Sequence, residues 1–173
     1  MQKQSQTLTT PRLLLRPTDE QDAAMVLALL NSPKWLQFIG DRKVYDLEAA
    51  KAYIRERMLP QLERLGFSNF TIIRQADGAK MGSVGLYDRE GLEGVDIGFA
   101  LLPEFEGQGY AFEASQKVLQ TAQDVWGVRV IKAITLPENG ASMRLLEKLG
   151  LRQKELIRLP NDPDDLWLYE LEL

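Results

Sequence analysis

Residues 94–114 constrain what this chain can fold into more than any other part of its sequence. Residues 95–102 form an almost continuous apolar run, which predicts a buried strand. Pro103 ends this strand, because proline has no N–H to donate to a central ladder. After it, apolar side chains recur at helical spacing up to Trp126, so we expect a helix.

Two glycines, Gly107 and Gly109, connect the predicted strand to the predicted helix. Glycine lets the backbone turn sharply and leaves its amides open to a ligand. Where such a turn leads into a helix N-terminus, the free N–H groups and the helix dipole favour a phosphate or a similar anion. We therefore expect an anion-binding turn here, although local chemistry alone does not identify the anion.

The overall composition predicts one globular domain. Of the 173 residues, 45% are hydrophobic and 27% are charged, which is ordinary for such a domain. We place the domain at residues 8–173, after a disordered N-terminus at residues 1–7. A net charge of −4 argues against a nucleic-acid partner. No apolar run is long enough for a membrane span or a signal core, so we expect a cytoplasmic monomer or homodimer without a membrane partner.

The sequence contains neither cysteine nor histidine. The first absence excludes disulfides, thiol nucleophiles and cysteine-ligated metals. The second excludes Ser-His-Asp catalysis, histidine general bases and the usual zinc sites, so we expect no metal. An enzyme of this composition must move protons with carboxylates, tyrosine, lysine or water, and it would act mainly by aligning two reactants.

The remaining pattern predicts an α+β fold with a mixed, mostly antiparallel central sheet and helices on both faces. The strands at 69–74, 80–87 and 95–102 are too closely spaced for crossover helices and should form an antiparallel meander. The other expected strands lie at 10–17, 128–135, 151–159 and 166–173.

Three further local expectations concern the helices. Thr18 should begin a capping box for a helix that stops before Pro33. Residues 34–44 should be irregular. A long helix should run from an Asp46 cap to about Gly66, kinked or split at Pro60.

Three kinds of glycine turn compete for the stretch after Pro103. A Walker-type loop would need Gly-Lys-Ser/Thr, but Gln108, Gly109 and Tyr110 follow Gly107. A dinucleotide fingerprint would need a third glycine in an early βαβ unit, and neither is present. A tight turn without a ligand is a further alternative.

The third kind of glycine turn is an acyl-CoA pyrophosphate loop, and a family resemblance indicates it. Residues 95–114 resemble the strand, acyl-CoA pyrophosphate loop and helix of the GNAT acetyltransferases. Residues 139–151, Asn-Gly-Ala-Ser-Met-Arg-Leu-Leu-Glu-Lys-Leu-Gly-Leu, are similar to the second signature of that family. Residues 10–17 resemble the start of its ribosomal-protein-alanine N-acetyltransferase branch. The three segments occur in the family's order and span nearly the whole chain.

The resemblance implies acetyl-CoA as co-substrate, bound between the 95–102 and 128–135 strands. Its pantetheine arm would pair with the backbone of Phe99, Ala100, Leu101 and Leu102, and Asn139 would hydrogen-bond to it. Ser142 would lie near the thioester sulfur. The pyrophosphate would lie on the amides of Gly107, Gln108, Gly109, Tyr110 and Ala111. Arg144 or Lys148 could meet the ribose phosphate, unless both belong to a solvated helix face.

The implied reaction is direct transfer of acetyl to a primary amine, on a protein N-terminus or a small molecule, in a ternary complex. Asp96 is the candidate base, acting through a water because it is shorter than the glutamate common in the family. Gly98 and Ala100 share its strand face and leave room for substrate. Ser142 is the candidate proton donor to the thiolate, with Tyr87 and Tyr110 as weaker candidates. Both Asp96 and Ser142 could instead be ordinary solvated polar residues.

The acceptor is less clearly encoded. Trp35, Phe38 and Tyr87 are the candidate acceptor-binding residues, with Tyr45 as a further candidate. A group of acids could attract a cationic acceptor or simply face solvent: Asp88, Glu90, Glu93 and Asp96. A different class of function also remains open at this point, a catalytically degenerate acyl-CoA-binding sensor or interaction module.

Overall fold

The computed structural model describes residues 6–173, so the predicted disorder of residues 1–7 lies mostly outside the described part. The strands are β1 (Leu8–Thr9), β2 (Leu13–Pro17), β3 (Asn69–Arg74), β4 (Lys80–Asp88), β5 (Val95–Leu101), β6 (Val130–Thr135), β7 (Arg152–Ile157) and β8 (Leu166–Glu172). The helices are α1 (Ala23–Leu30), α2 (Pro33–Phe38), α3 (Leu47–Tyr53), α4 (Leu59–Leu65), α5 (Tyr110–Asp124) and α6 (Gly140–Lys148). A π-helical turn (Ile54–Met58) joins α3 to α4, and short 3-10 turns precede α1 (Glu20–Asp22) and follow β5 (Pro103–Phe105).

All eight strands form one sheet in the order β1-β2-β3-β4-β5-β6-β8-β7. Only β5 and β6 pair in parallel, and every other neighbouring pair is antiparallel. The predicted α+β class with a mixed, mostly antiparallel sheet is confirmed, and so is the meander of β3, β4 and β5.

One face of the sheet is apolar and lies under α5. This helix packs against β2, β4 and β5, and its buried residues are within one hydrophobic cluster with the side chains of those strands. The largest members of the cluster are fully buried: Leu13, Leu15, Phe70, Ile72, Met81, Leu86, Ile131 and Tyr169. Burial of this surface is the main stabilising term of the fold.

The opposite face carries small and polar residues. Because side chains alternate along a strand, the register brings Asp96 opposite Tyr87, Gly98 opposite Gly85, and Ala100 opposite Ser83. A second cluster, formed by α1 and α3 with Val44 and Ile54, packs on this side. The two layers leave a cavity between them, and the candidate site lies there.

A capping box is present before α1, but it begins one residue later than predicted, at the 3-10 turn Glu20–Asp22. Asp19, not Thr18, is the N-cap: its carboxylate accepts from Gln21 N–H, and the Asp22 carboxylate accepts from Asp19 N–H. Thr18 is buried, with its hydroxyl 2.9 Å from that of Thr71. A buried hydroxyl needs a partner, and a neighbouring strand provides it.

The prediction that residues 34–44 are irregular is wrong for its first part, since α2 spans Pro33–Phe38. Proline at the first helical position loses no hydrogen bond, because that N–H would have no helical acceptor. Pro33 therefore starts a helix here as well as closing the one before it.

The long helix is divided just before Pro60 into α3 and α4, as predicted, and the division is a π turn. Leu59 N–H donates to the carbonyl of Ile54, five residues earlier, in the π turn. This wider turn places Pro60 at the start of α4, where its missing N–H costs little. The expected ends are confirmed: Asp46 caps α3 through Ala49 N–H, and Gly66 closes α4 at φ 85°.

Within residues 6–173, no helix combines the length and apolarity needed to cross a membrane. In the same described range, no group of three or more acidic side chains is arranged to hold a metal ion.

Candidate active site

The site begins where β5 and β6 separate. The two strands pair only at Val95 with Ile131 and at Asp96 with Lys132. From Ile97 onward β5 keeps its antiparallel partner β4, but no strand within residues 6–173 pairs with its other edge. A strand edge of this kind presents unpaired backbone N–H and C=O groups, which an extended ligand can pair with.

A cavity of about 460 Å³ lies between the separated strands and the helices α1 to α4. Its lining contains residues predicted for catalysis and acceptor binding, Trp35, Phe38, Tyr87, Asp96 and Ser142. It also contains three residues predicted to bind acetyl-CoA, Phe99, Ala100 and Asn139. Leu101, Leu102 and residues 107–111 lie outside its lining, on the stretch that leads from β5 to α5.

Asp96 is buried and bound by an arginine that the sequence analysis missed. Its side chain is 1% exposed, and Arg89 donates from Nε and Nη2 to its two carboxylate oxygens, each at 2.9 Å. Burial raises the pKa of Asp96, and Arg89 offsets this only in part. A raised pKa makes the ionised carboxylate a stronger base than an exposed aspartate.

Tyr87 lies across a small cradle of two glycines. A Cβ placed on Gly98 would come within 2.8 Å of the tyrosine ring, and one on Gly85 within 2.9 Å of its hydroxyl. The hydroxyl donates to Oδ1 of Asn69. Burial raises the pKa of Tyr87, and the neighbouring Asp96 charge raises it further. Tyr87 therefore stays protonated and fixed in orientation.

The partner of Tyr87 belongs to a longer chain of buried polar groups. Asn69 Nδ2 donates to Thr18 at 2.8 Å, and Thr18 meets Thr71. Thr71 donates to Asp22 at 2.9 Å. Each buried polar group has a partner, as a stable interior network requires. The cavity tyrosine is thereby tied to the start of α1.

Asp22, at the end of this chain, is fully buried between two cations. Arg16 and Lys80 reach its Oδ1 at 2.7 and 2.8 Å. Burial alone would raise the pKa of Asp22, but the bonds from Arg16, Lys80 and the neighbouring groups outweigh it, and its pKa lies below the ordinary value.

The glycine turn has the backbone conformation that only glycine adopts easily. Gly107 and Gly109 have φ values of 73° and 82°. A Cβ on Gly107 would meet nothing within 4 Å, so its Cα faces open space. Gly109 is the N-cap residue of α5. The turn therefore leaves room for a ligand at the start of a 15-residue helix.

Arg12 contacts this turn through its guanidinium. It donates to Gln108 O at 3.0 Å and to Glu113 at 2.8 Å, and its guanidinium lies 4.4 Å from the ring centre of Tyr110. Tyr110 is itself only 6% exposed and belongs to the core. Any bond from this residue to a ligand would come from its backbone, not from its ring.

Asn139 and Ser142 lie at the start of α6. Asn139 Oδ1 accepts from Ser142 N–H at 3.2 Å, so this asparagine is the helix N-cap. Its amide nitrogen has no protein acceptor within the described residues, and neither does the Ser142 hydroxyl. Both side chains line the cavity and remain free to contact a ligand. Farther along the helix, Lys148 lies 4.2 Å from the ring centre of Phe112.

The acids expected to attract a cation are placed differently from one another. Asp96 is paired with Arg89, and Asp88 with Arg64 at 2.8 Å. Glu90 and Glu93 are exposed and absent from the cavity lining, and so is Tyr45, which is 67% exposed and bonds to Asp41. Trp35 and Phe38 do line the cavity, on α2.

Several cavity residues were not predicted, and their signals differ. Arg89 follows β4 directly, so its approach to Asp96 could have been inferred from the hairpin register of Tyr87 and Asp96. Arg42, Arg57 and Asn69 also line the cavity. They come from separate segments, and nothing local in the sequence brings them together.

The residues present fit an acyl-CoA. The free edge of β5 can accept an extended chain, and the glycine turn can accept an anion where α5 begins. The two features follow each other directly along the chain, with the cavity beside them.

Comparison with known proteins agrees with this geometry. The Acetyltransferase (GNAT) domain family matches residues 12–152. The chain therefore belongs to the GNAT acetyltransferase family, whose members transfer acetyl groups from acetyl-CoA, and the predicted GNAT fold is confirmed.

Its relatives are consistent with an N-acetyltransferase. The uncharacterized N-acetyltransferase YnaD of Bacillus subtilis is 27% identical over 147 residues, which cover 85% of this chain and 83% of that protein. An acetyltransferase structure from Agrobacterium tumefaciens is 25% identical with a TM-score of 0.82, covering 97% of this chain and 95% of the other. The RimJ structure from Mycobacterium smegmatis, in complex with CoA-disulfide, is 20% identical with a TM-score of 0.80, covering 99% and 89%. At that identity RimJ shows the shared fold alone.

Proposed function

We propose that this N-acetyltransferase moves acetyl from acetyl-CoA directly to a primary amine, with both substrates bound at once. The observation that carries the proposal is the separation of β5 from β6 beside the cavity. A thioester bound along the free β5 edge would have its acetyl end near Asp96. The acceptor amine would lie beside it in the cavity. No nucleophile on the protein is needed, because alignment of two substrates supplies much of the acceleration.

Acetyl-CoA, when bound, supplies an activated acetyl group and a thiol leaving group. The residues proposed to hold it are Phe99, Ala100, Leu101 and Leu102 through their backbone, Asn139 through its free amide nitrogen, and residues 107–111 through their amides. A backbone N–H of the free β5 edge would stabilise the oxyanion of the transition state.

Asp96 is the proposed base. The acceptor amine must lose a proton to attack, and a peptide N-terminus has a pKa of about 8, so the base has modest work. Arg89 occupies both carboxylate oxygens, but each oxygen has a second lone pair. A water between Asp96 and the amine would complete the path, and the arginine would hold the carboxylate in place.

Ser142 is the proposed proton donor to the departing thiolate. Its hydroxyl lines the cavity beside Asn139 and has no acceptor within the described residues. Tyr87 is less suited to this role, because its proton is already given to Asn69. Ser142→Ala should lower kcat more than it changes the KM for either substrate.

The acceptor class remains a protein N-terminus or a small-molecule amine. The fold is shared with the structure of RimL, a ribosomal L7/L12 alpha-N-protein acetyltransferase, in complex with coenzyme A, at 20% identity and a TM-score of 0.80. This likeness, with the resemblance of residues 10–17, supports a ribosomal-protein N-acetyltransferase as one version of the proposal.

The proposal is tested by a matched pair of glycine variants, one before α5 and one after it. Gly107→Trp fills the open space at the proposed phosphate turn. Gly127→Trp, beyond the other end of the helix, replaces a glycine of similar φ, 68° against 73°, which also has nothing within 4 Å of its added Cβ. The strain of a left-handed residue is thus about equal, roughly 1–2 kcal/mol in each.

Calorimetric titration with acetyl-CoA should show a large loss of affinity in the Gly107 variant only. Thiol release from acetyl-CoA should then be measured across a panel of peptides, small amines and aminoglycosides. Equal affinity in the two variants would place the phosphates elsewhere. Tight acetyl-CoA binding without thiol release on any amine would favour an acyl-CoA sensor instead.

A further inference from the structure

The acids of the cavity are already engaged. Asp96 is held by its bidentate arginine, and Asp88 pairs with Arg64. The third acid of the lining, Asp162, accepts the backbone N–H of Asp164 at 2.9 Å in the loop before β8. Asp96 and Asp88 are therefore each paired with a cation, and Asp162 is bound through a backbone N–H.

Two arginines of the same cavity have no acidic partner within residues 6–173. They are Arg42, in the loop after α2, and Arg57, in the π turn. The acid next to Arg42 is also engaged, because the Asp41 carboxylate accepts from Lys43 N–H and from the hydroxyl of Tyr45. Arg42 and Arg57 are therefore the cations of this lining that have no salt-bridge partner among the described residues.

The π turn explains how Arg57 reaches the cavity. Tyr53, Arg57 and Gln61 all line it, at intervals of four residues. An α-helix has 3.6 residues per turn, so side chains four apart drift around the helix axis. A π turn is wider by about one residue, which offsets that drift and keeps the three side chains on one face.

A further donor of the cavity lining lacks an acceptor among the described residues. Trp35 lines the cavity, and its Nε1 is buried with no hydrogen-bond partner. A buried unpaired N–H costs free energy unless a ligand supplies an acceptor. Two unpaired guanidinium groups and this N–H are all donors, and a carboxylate is an acceptor-only anion that suits such a set.

We infer that the acceptor is a primary amine that carries its own carboxylate, bound by Arg42 and Arg57. This inference rests on the proposed function. The arginines have a second effect, because nearby positive charge lowers the pKa of the acceptor ammonium and favours the neutral amine that attacks. The carboxylate could belong to an acidic peptide N-terminus or to a small amino acid.

Two matched pairs of acceptors separate these sources. The first pair is an amidated peptide with glutamate at its second position and the same peptide with glutamine there. The second pair is β-alanine and β-alaninamide. In at least one pair, the carboxylate compound should have a kcat/KM about tenfold or more above its neutral partner, as expected for charge-assisted hydrogen bonds.

The double variant Arg42→Gln/Arg57→Gln should lose this preference while binding acetyl-CoA as before. Arg55→Gln is the matched control. Arg55 lies in the same π turn, pairs with Glu20 and is absent from the cavity lining. Arg55→Gln removes one positive charge from the same turn, as the Arg57→Gln change does, and should leave the preference intact.

A binding measurement makes the test independent of turnover. The carboxylate compound is titrated into the CoA-saturated protein while tryptophan fluorescence is followed, and Trp35→Phe identifies the contribution of the cavity tryptophan. The Kd should rise about tenfold in the double variant.

A double variant that keeps the carboxylate preference overturns the inference, and so does one that loses acetyl-CoA affinity to the same extent. Amines that are acetylated without any carboxylate preference overturn the inference alone. No thiol release on any amine contradicts the proposed function, and the titration then judges the arginines by itself.

Discussion

The two faces of the central sheet are built from the same strands and have opposite designs. On β4, Val84 and Leu86 are buried in the cluster under α5. Ser83, Gly85 and Tyr87 alternate with them and face the cavity layer. The first face excludes water and contributes most of the stability. The second gives up packing to place polar groups, some bound to one another and some left without a partner among the described residues.

The difference teaches where sequence changes should act. Substitutions under α5 should change the free energy of unfolding and leave the site geometry intact in the folded fraction. Substitutions on the cavity face should change the reaction, its pH dependence, or the position of a single side chain. The four predictions below test that separation, from the largest expected effect to the smallest.

Phe70→Ala should have the largest effect. Phe70 is 1% exposed and stacks on Trp126 with ring centroids 5.9 Å apart. Loss of a buried phenylalanine leaves a cavity and costs about 4 kcal/mol in the free energy of unfolding, measured by urea denaturation. The KM for acetyl-CoA should be unchanged under folding conditions. Val125→Ala, at a 58% exposed residue after α5, should cost less than about 0.5 kcal/mol. A change in KM for the phenylalanine variant would break the proposed separation of the faces.

Asp22→Asn should cost about 3 kcal/mol, because it strands two cations beside a buried group. The folded-state pKa of Asp22 is lowered, so its stabilising contribution is complete above the unfolded pKa of about 3.9 and is lost as pH falls through the folded value. The difference between wild type and variant in urea denaturation should therefore be full at pH 7 and shrink at acid pH. Glu48→Gln, at an 81% exposed side chain, serves as the surface control. A penalty independent of pH would show that the ionised carboxylate is not what stabilises this end of the network.

Asp96→Asn should lower kcat/KM by about a hundredfold if Asp96 is the base. Because burial raises the pKa of Asp96, the wild-type rate should fall on the acid side at a higher pH than an ordinary aspartate would give. The variant should lose that acid limb, as seen in pH–rate profiles. The double variant Asp96→Asn/Arg89→Gln removes the stranded arginine and should behave in the same way. An unchanged profile would remove Asp96 from the mechanism.

Gly98→Ala should have the smallest effect, about 1–2 kcal/mol in the free energy of unfolding, because the added Cβ meets the Tyr87 ring. The displaced ring should also raise the KM for the acceptor while leaving acetyl-CoA affinity unchanged. The stability penalty should shrink in a Tyr87→Leu background, which a double-mutant cycle measures. A penalty that is the same in both backgrounds would mean that the ring is not what the glycine accommodates.

The parts of the fold that depend on local chemistry could be predicted from the sequence. Pro103, Gly107 and the helical spacing after them encode strand, turn and helix within one short stretch, and the structure has all three. The Asp46 cap and the Gly66 stop are equally local. Such features need no information about distant residues.

The wrong predictions have local causes too. A proline such as Pro33 is compatible with the end of one helix and with the start of the next, and only packing decides between them. Thr18 is of a residue type that is common at helix N-caps, but a neighbouring strand offers its hydroxyl a buried partner. The division of the long helix before Pro60 is as predicted, but its form is a π turn, which spacing rules for an α-helix do not anticipate.

The candidate site could be predicted only in part, because one half of it is encoded in a short stretch of sequence and the other half comes from distant segments. The acetyl-CoA-binding residues proposed between Phe99 and Ala111 lie close together in sequence, and Asp96 lies on the strand that begins them. The cavity partners Arg42, Arg57 and Asn69 come from a loop, a π turn and a separate strand. Tertiary packing alone brings them to one place, so only the structure shows them.

The two-residue junction of β5 and β6 divides the sheet into a five-stranded half and a three-stranded half. So short a seam is a line along which the halves can open with few broken hydrogen bonds. Amide hydrogen exchange should accordingly be faster along β6 than in β3 and β4, which are paired along both edges. A chain laid into the gap would close it as an extra strand would, and its arrival should slow exchange on both sides of the seam.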